Sequence, residues 1–293
     1  MLPSSCEGLV WGYEPNIDDI KAVCQTTLQL DDPAHCAVSF LTSGGFNKIY
    51  VVDVGYDQRF VLRVSLPVDP RHKMAGELAT LGWLSQHSTV PVPTVIAFDD
   101  TRDNKIGFEW ILMDHVSGTS AQTRWRKMTM EDKKTLVENI ARYHAQLLDI
   151  STFQKIGTLK ETDSGFIPDR LVSMMFFWGD HYNFDVHRGS FRSSHGWLYS
   201  FIFIMIKGKV LAMDKAVREG DEEDADEAMY NLRIAKELYL LLPEIFTPDE
   251  DTDDKKVLWH DDLSLSNIWT NLAYPSTIDI IYRASHKGCL IAE

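Results

Sequence analysis

Hydrophobic and polar positions set the first half of the chain in short strands. In "VSFLTSGGFNKIYVVDVGYDQRFVLRVSL", residues 38–66, β-branched and aromatic runs are broken at Gly44-Gly45 and at "GYDQR". That pattern predicts strands joined by two hairpin-like connections. The period then lengthens. Met74, Leu78, Leu81 and Leu84 recur at helical spacing in "RHKMAGELATLGWLSQHS", which predicts an amphipathic helix. The prolines of "VPVPTVIAFDD" end that helix and open a strand. "FEWILMDHVSG" reads as another strand, running into a turn at Gly118.

From Thr129 the pattern is helical. Thr129 with Asp132 resembles an N-terminal capping box, with Asp in place of Glu. Leu136, Ile140, Tyr143 (or His144) and Leu147 then mark one face of a long helix. A loop-rich stretch with "FIPDRL" and "FFWGDHYNFDVHRGSFRSS" follows, and two more helices are expected at about 197–218 and 225–242. The acidic run "EGDEEDADE" between them reads as a solvated connecting loop, since such runs stay hydrated. "TPDEDTDDKK" reads the same way. The apolar run "WLYSFIFIMI" is too short to span a bilayer and reads as a buried helix.

Composition narrows the partners. The 293 residues are 44% hydrophobic, enough for a sizeable core. Asp plus Glu total 43 against 29 for Lys plus Arg, a net charge of −14. Such a chain repels nucleic acid and anionic membranes, so neither is an expected partner. A nucleotide site needs only a local positive pocket. Cys6, Cys24, Cys36 and Cys289 form no Cys-x-x-Cys pair, so free thiols in a reducing compartment are expected. "MLPSSCEGLVWGYEP" lacks a basic region followed by an apolar core, and the first Arg is Arg59. Neither a secretory signal nor an Arg-rich transit peptide is expected, which favours a cytoplasmic location.

The candidate chemistry sits in "VLWHDDLSLSNIW", residues 257–269. Asp, Ser and Asn are turn formers, so this could be a plain loop. Yet His260, Asp262, Leu263 and Asn267 keep the His-x-Asp-Leu-x-x-x-Asn frame of a kinase catalytic loop, where Asp accepts a hydroxyl proton and Asn holds a metal. Upstream features follow in a matching order. Ser43, Gly44 and Gly45 lie between two strands, where glycines let backbone N–H groups approach phosphate. Arg63 lies inside the next strand; alone it could equally face solvent. Glu77 lies in the following helix, fourteen residues on, and could pair with Arg63 over a nucleotide. Met113 to Val116, with Asp114 and His115 between, end an apolar strand where backbone groups could meet an adenine edge.

These stretches resemble the aminoglycoside phosphotransferase (APH) family of kinase-like enzymes. The likeness is strongest to its fungal branch, which includes proteins similar to altered inheritance of mitochondria protein 9. The resemblance rests on "TSGGFNKIYVV", "FVLRVSLP", "ELATLGWLSQHSTVPVPTVIAFD", "ILMDHVSG", "FFWGDHYNFDVHRGSFRSS" and "HDDLSLSNI". It implies an α+β, protein-kinase-like bilobal fold. A β-rich N-lobe would span 1–113 and a helical C-lobe 114–293, with the catalytic loop at 258–268. It implies ATP between the lobes, Asp262 as catalytic base, His260 fixing the loop, and Asn267 as a magnesium ligand. Arg63, paired with Glu77, would serve as the nucleotide cation. Ser264 stands where Ser/Thr protein kinases carry Lys, which favours a small-molecule hydroxyl acceptor.

After Asn267 the chain departs from the family pattern. Asp279 in "STIDII" is the acidic candidate for a second metal ligand before Glu293. The family's later helices have no counterpart in "TNLAYPSTIDIIYRASHKGCLIAE". Two functional classes therefore stand side by side: an ATP-dependent phosphotransferase, and a non-catalytic kinase-like remnant that binds nucleotide or a protein partner. The same departure predicts a floppy segment from Asn271 onward. It also predicts partly uncovered apolar surface on the two late helices and at Ile268-Trp269, with self-association as its consequence.

Overall fold

The computed structural model describes residues 11–177, 179–248, 256–260, 262–271, 273–274, 278–280 and 289–292. Five strands make one antiparallel sheet: β1 (Cys36–Ser43), β2 (Asn47–Val54), β3 (Gln58–Ser65), β4 (Val95–Asp99) and β5 (Glu109–Asp114), in the order β1-β2-β3-β5-β4. The period-two pattern separates its faces. Leu62, Val64, Trp110 and Leu112 pack toward α1 (Ile17–Thr27), a short helix that buries Ile20 and Cys24 and that the sequence reading did not single out. Val61, Ile111 and Met113 pack on the other face against Met74 and Leu78 of α2 (His72–His87). Among the expected helix positions, Met74, Leu81 and Leu84 are buried.

The second half begins with β6 (Thr119–Ser120) and the one-turn α3 (Ala121–Arg124). α4 (Met130–Ile150) follows, with the Thr129–Asp132 capping box formed in both directions. A hairpin, β7 (Thr158–Thr162) and β8 (Gly165–Asp169), and the short α5 (Met174–Phe177) lead to α6 (Ser194–Glu219) and α7 (Glu222–Ile245). β9 (Val257–His260), β10 (Trp269–Thr270), β11 (Ile278–Ile280) and β12 (Cys289–Ala292) complete the described elements.

Three expectations change. The acidic run is mostly helix: only Gly220 and Asp221 separate α6 from α7. Asp221 caps α7 by accepting the Asp224 N–H, and Glu222, Glu223 and Asp224 occupy its first turn, where carboxylates complement the helix dipole. The run "WLYSFIFIMI" extends into a helix that is long and apolar enough, by length and composition, to cross a membrane, and it is less buried than expected. Its Ile204 joins Phe176, Phe177 and Phe191 in a local core. After Asn271, the described residues 278–280 and 289–292 form short paired strands, β11 with β10 and β12 with β9, Cys289 opposite His260, and the rest of the expected floppy segment lies largely outside the described residues.

One core joins the two halves. Ala79, Leu81, Trp83 and Leu84 of α2 pack with Leu136 and Leu147 of α4, Leu258 of β9, Ile268 and Ile278. Ile268, expected to be partly uncovered, is 2% exposed within this cluster.

Candidate active site

An apolar cleft opens between the sheet and the second half. Leu41, Ile49, Val61, Arg63, Pro93, Met113, Asp114, His115, Val116 and Trp269 line it. Its empty volume is about 610 Å³, the open mouth included, within the range of small-molecule sites. Ile49 and Arg63 face each other across β2 and β3, and Val61 lies two residues along, so strand alternation alone brings the three side chains to one face.

Arg63 sits inside this face at 1% exposure and forms a two-point ion pair with both carboxylate oxygens of Glu77 on α2. A planar guanidinium is suited to such a pairing. The pair ties the sheet to α2 at the cleft wall.

At the other end of the cleft, the Asp114 N–H donates to the Thr94 carbonyl (3.0 Å) and the His115 N–H to the Arg59 carbonyl (3.3 Å). Both amides are spent on the sheet. The Val116 N–H has no partner among the described residues and can read a ligand edge. Burial, with the Arg59 charge adding to it, pulls the His115 pKa down.

At the turn after β1, the Gly44 N–H closes on the Asn47 carbonyl (2.9 Å), so that amide serves the hairpin rather than a phosphate. Gly45 is exposed, with nothing within 4 Å of where a Cβ would lie. Ser43 ends β1 opposite Lys48.

The loop after β9 is held from within. The Asp262 N–H donates to His260 Nδ1 (3.0 Å), and Asn267 Nδ2 donates to the Asp262 carbonyl (2.8 Å). The Asp262 carbonyl also accepts the Ser264 N–H (3.0 Å). His260 is 5% exposed. Burial pushes its pKa down to about 4, with the nearby Asp262 opposing. The ring is therefore neutral near pH 7 and works as an acceptor for the loop, not as an acid. Asn267 commits its nitrogen to the loop, which leaves Oδ1 without a partner among the described residues. An oriented carboxamide oxygen suits a hard divalent cation that phosphate oxygens also hold. Asp279 lies by its backbone in β11, beside a bulge opposite Trp269 and Thr270. Its side chain lies outside the described residues. Among the described residues no group of three His, Cys, Asp or Glu side chains could hold a metal.

β10 anchors the loop to the cleft. Trp269 and Thr270 pair with Ser120 and Thr119, and the Ile268 and Leu265 carbonyls accept the Ala121 and Gln122 N–H groups. Trp269 thereby reaches the cleft from the side opposite Ile49 and Val61. Trp269, Leu41, Ile49, Val61 and Pro93 were not singled out from the sequence. The strand alternation through Arg63 could have found Ile49 and Val61. Nothing local marks Trp269.

A β-rich lobe with a helix on each face of its sheet, a helical lobe, and a cleft between them flanked by an internally braced His-x-Asp loop define a kinase-like fold. Residues 38–176 match the model of the phosphotransferase enzyme family, APH. A thermostable mutant of aminoglycoside phosphotransferase APH(4)-Ia in its apo form aligns at a TM-score of 0.51 and 13% identity, over 92% of this chain and 73% of that one. A thermostable mutant of the same enzyme, as a ternary complex with AMP-PNP and hygromycin B, aligns at 0.50 and 12%, over 94% and 73%. At such identity the likeness is one of fold. A subtelomeric hrmA-associated cluster protein of Aspergillus fumigatus is 29% identical over 181 residues, 57% of this chain and 35% of that protein. Altered inheritance of mitochondria protein 9, mitochondrial, of Debaryomyces hansenii is 27% identical over 145 residues, 46% and 23%. The chain thus spans about a third or less of these relatives' length. Residues 38–176 are thus similar to the APH phosphotransferase family, and the chain shares the kinase-like fold of aminoglycoside phosphotransferases.

Proposed function

We propose that this chain transfers the γ-phosphate of ATP to a hydroxyl group of a small molecule. The observation that carries the reading is the cleft. Its apolar end has a free Val116 N–H, its other end holds the Arg63–Glu77 pair, and its far wall is Trp269, two residues beyond Asn267. An adenine would lie between Val61 and Trp269 with its edge on Val116, which directs the phosphates toward Arg63 and the Gly44-Gly45 turn.

In-line phosphoryl transfer asks the protein mainly for positioning and charge. Asp262 accepts the acceptor's hydroxyl proton as the new P–O bond forms and the bond to the ADP oxygen breaks. His260, neutral and buried, holds the Asp262 backbone in place. Asn267 Oδ1, with Asp279, would hold magnesium, which when bound neutralises phosphate charge. Ser264 after the base leaves the acceptor side without the lysine of protein kinases, which supports a small-molecule acceptor. The ternary complex of the APH(4)-Ia mutant with AMP-PNP and hygromycin B supports the same division into nucleotide and small acceptor.

The test is ATP turnover by the purified chain against a panel of hydroxylated small molecules with magnesium. Asp262→Asn should lower turnover by about 10²–10⁴-fold while nucleotide affinity stays near the wild-type value. Equal turnover by the variant would remove Asp262 from the role of base. Nucleotide binding without turnover on any acceptor would favour the non-catalytic reading.

A further inference from the structure

The cleft face of the sheet changes character along its length. Beyond Ile49 and Arg63, the next residues on that face are Asn47 on β2 and Ser65 on β3, which pair directly. They lie beside the glycine turn, whose Gly44 N–H ends on the Asn47 carbonyl. Asn47 is 3% exposed. Its Oδ1 accepts two hydrogen bonds, from Ser65 Oγ (2.8 Å) and from Lys73 Nζ (3.3 Å). Lys73 is in the first turn of α2, four residues before Glu77.

Donors outnumber acceptors here. Asn47 Nδ2 and Arg63 Nε are buried and have no hydrogen-bond partner among the described residues. Both Glu77 oxygens are taken by Arg63. Glu109, 2% exposed, accepts the Arg71 N–H (2.8 Å). Lys73 makes no salt bridge with either carboxylate among the described residues, and Asn47 Oδ1 is its one hydrogen-bond acceptor there. A buried donor without an acceptor costs about 1–3 kcal/mol, so these two, beside a Lys73 ammonium held by a single amide oxygen, mark a place for a ligand rich in acceptors. Lys73 as a whole residue is half-buried.

We propose that Lys73, held by Asn47, is a second cation at the phosphate end of the cleft and binds the terminal phosphates of the nucleotide alongside Arg63. The proposal rests on the nucleotide reading of the cleft given above. It deepens that reading by giving α2 two ligand-facing groups: Glu77, which orients Arg63, and Lys73, which touches phosphate. The charged groups facing Lys73 are Arg63 from β3, Glu77 from α2 and Glu109 from β5. Desolvation, followed by Arg63, lowers the Lys73 pKa to about 8, with Glu77 and Glu109 opposing. Phosphate oxygens would restore the charged form, so nucleotide binding should draw in a proton where free Lys73 is partly neutral.

The experiment is calorimetric titration of the whole chain with adenosine, and with ADP and AMP-PNP in the presence of magnesium, at pH 7 and pH 9. Lys73→Met should weaken AMP-PNP by about 10-fold or more, leave adenosine unchanged, and be rescued largely by Lys73→Arg. Wild type should bind AMP-PNP more weakly at pH 9 than at pH 7. It should also take up protons on binding at the higher pH, a readout that needs no variant. AMP-PNP affinity indifferent to Lys73→Met, or wild-type binding without proton uptake, overturns the proposal while adenosine binding keeps the cleft reading. Failure of wild type to bind any of the three overturns both.

Discussion

The cleft face of the sheet and the outer face of α7 invert the usual distribution of side chains in opposite senses. On the sheet, Arg63, Asn47 and Glu109 are buried. On α7, Tyr230, Ile234, Leu238, Leu241 and Ile245 form a stripe of exposed apolar side chains at spacings of three and four, while Ala228, Leu232, Ala235 and Leu242 are buried. A buried charge needs a counter-charge or a ligand, and an apolar stripe on a surface helix needs a cover. The sheet supplies part of its own answer in Glu77. The α7 stripe has no such internal answer among the described residues. Two departures from one rule thus stand in one chain, one partly answered by an ion pair and the other left open among the described residues.

The contrast can be broken most forcefully at the ion pair. Glu77→Ala leaves Arg63 buried without its carboxylate and should cost about 3–5 kcal/mol in urea unfolding; a loss below about 1 kcal/mol would mean that Arg63 relaxes to solvent. On α7 the two faces should separate. Leu232→Ala, on the buried face, should cost about 2–5 kcal/mol, whereas Leu241→Ser should stay within about 0.5 kcal/mol. The same Leu241 change should reduce concentration-dependent association. Light scattering that finds wild type monomeric at all concentrations would remove self-association from the account.

Acid probes the catalytic loop without any mutation. The folded pKa of His260, held at about 4 by burial, lies below the ordinary value of 6.5. The unfolded chain therefore binds this proton first as pH falls. The contribution is full above about 6.5 and is lost toward 4, at up to about 1.4 kcal/mol per pH unit. His260→Asn should flatten the stability profile in that window; an unchanged slope would assign acid sensitivity elsewhere.

Local features were the legible ones. The Gly44-Gly45 break, the leucine spacing of α2 and the Thr129 cap each act within a few residues, so the sequence shows them directly. Arg63 and Glu77 were found because a strand–helix order fixes their approach. Ile268 was misread as partly uncovered because its position depends on the neighbouring strand pairing of Trp269 with Ser120, far away in sequence. Lys73 was passed over because a lysine four residues before a glutamate looks like an ordinary helix-surface pair. The acidic stretch was assigned to a loop because charge density outweighed the capping role of Asp221. α1 escaped notice because its short run buries only Ile20 and Cys24.

The anchoring of the catalytic loop also sets an order of assembly. Thr270 donates its hydroxyl to the Thr119 carbonyl across 151 residues of sequence, and β12 must return to β9 before the His260 strand has its paired strand. Contacts this distant in the chain require loop closure before they stabilise anything, and folds rich in them form slowly. The sheet of β1 to β5 can close from hairpins as it leaves the ribosome. The proposed catalytic loop would be among the last parts to gain a fixed shape, and a chain stalled or cut before β12 would carry a finished sheet over an unfinished loop.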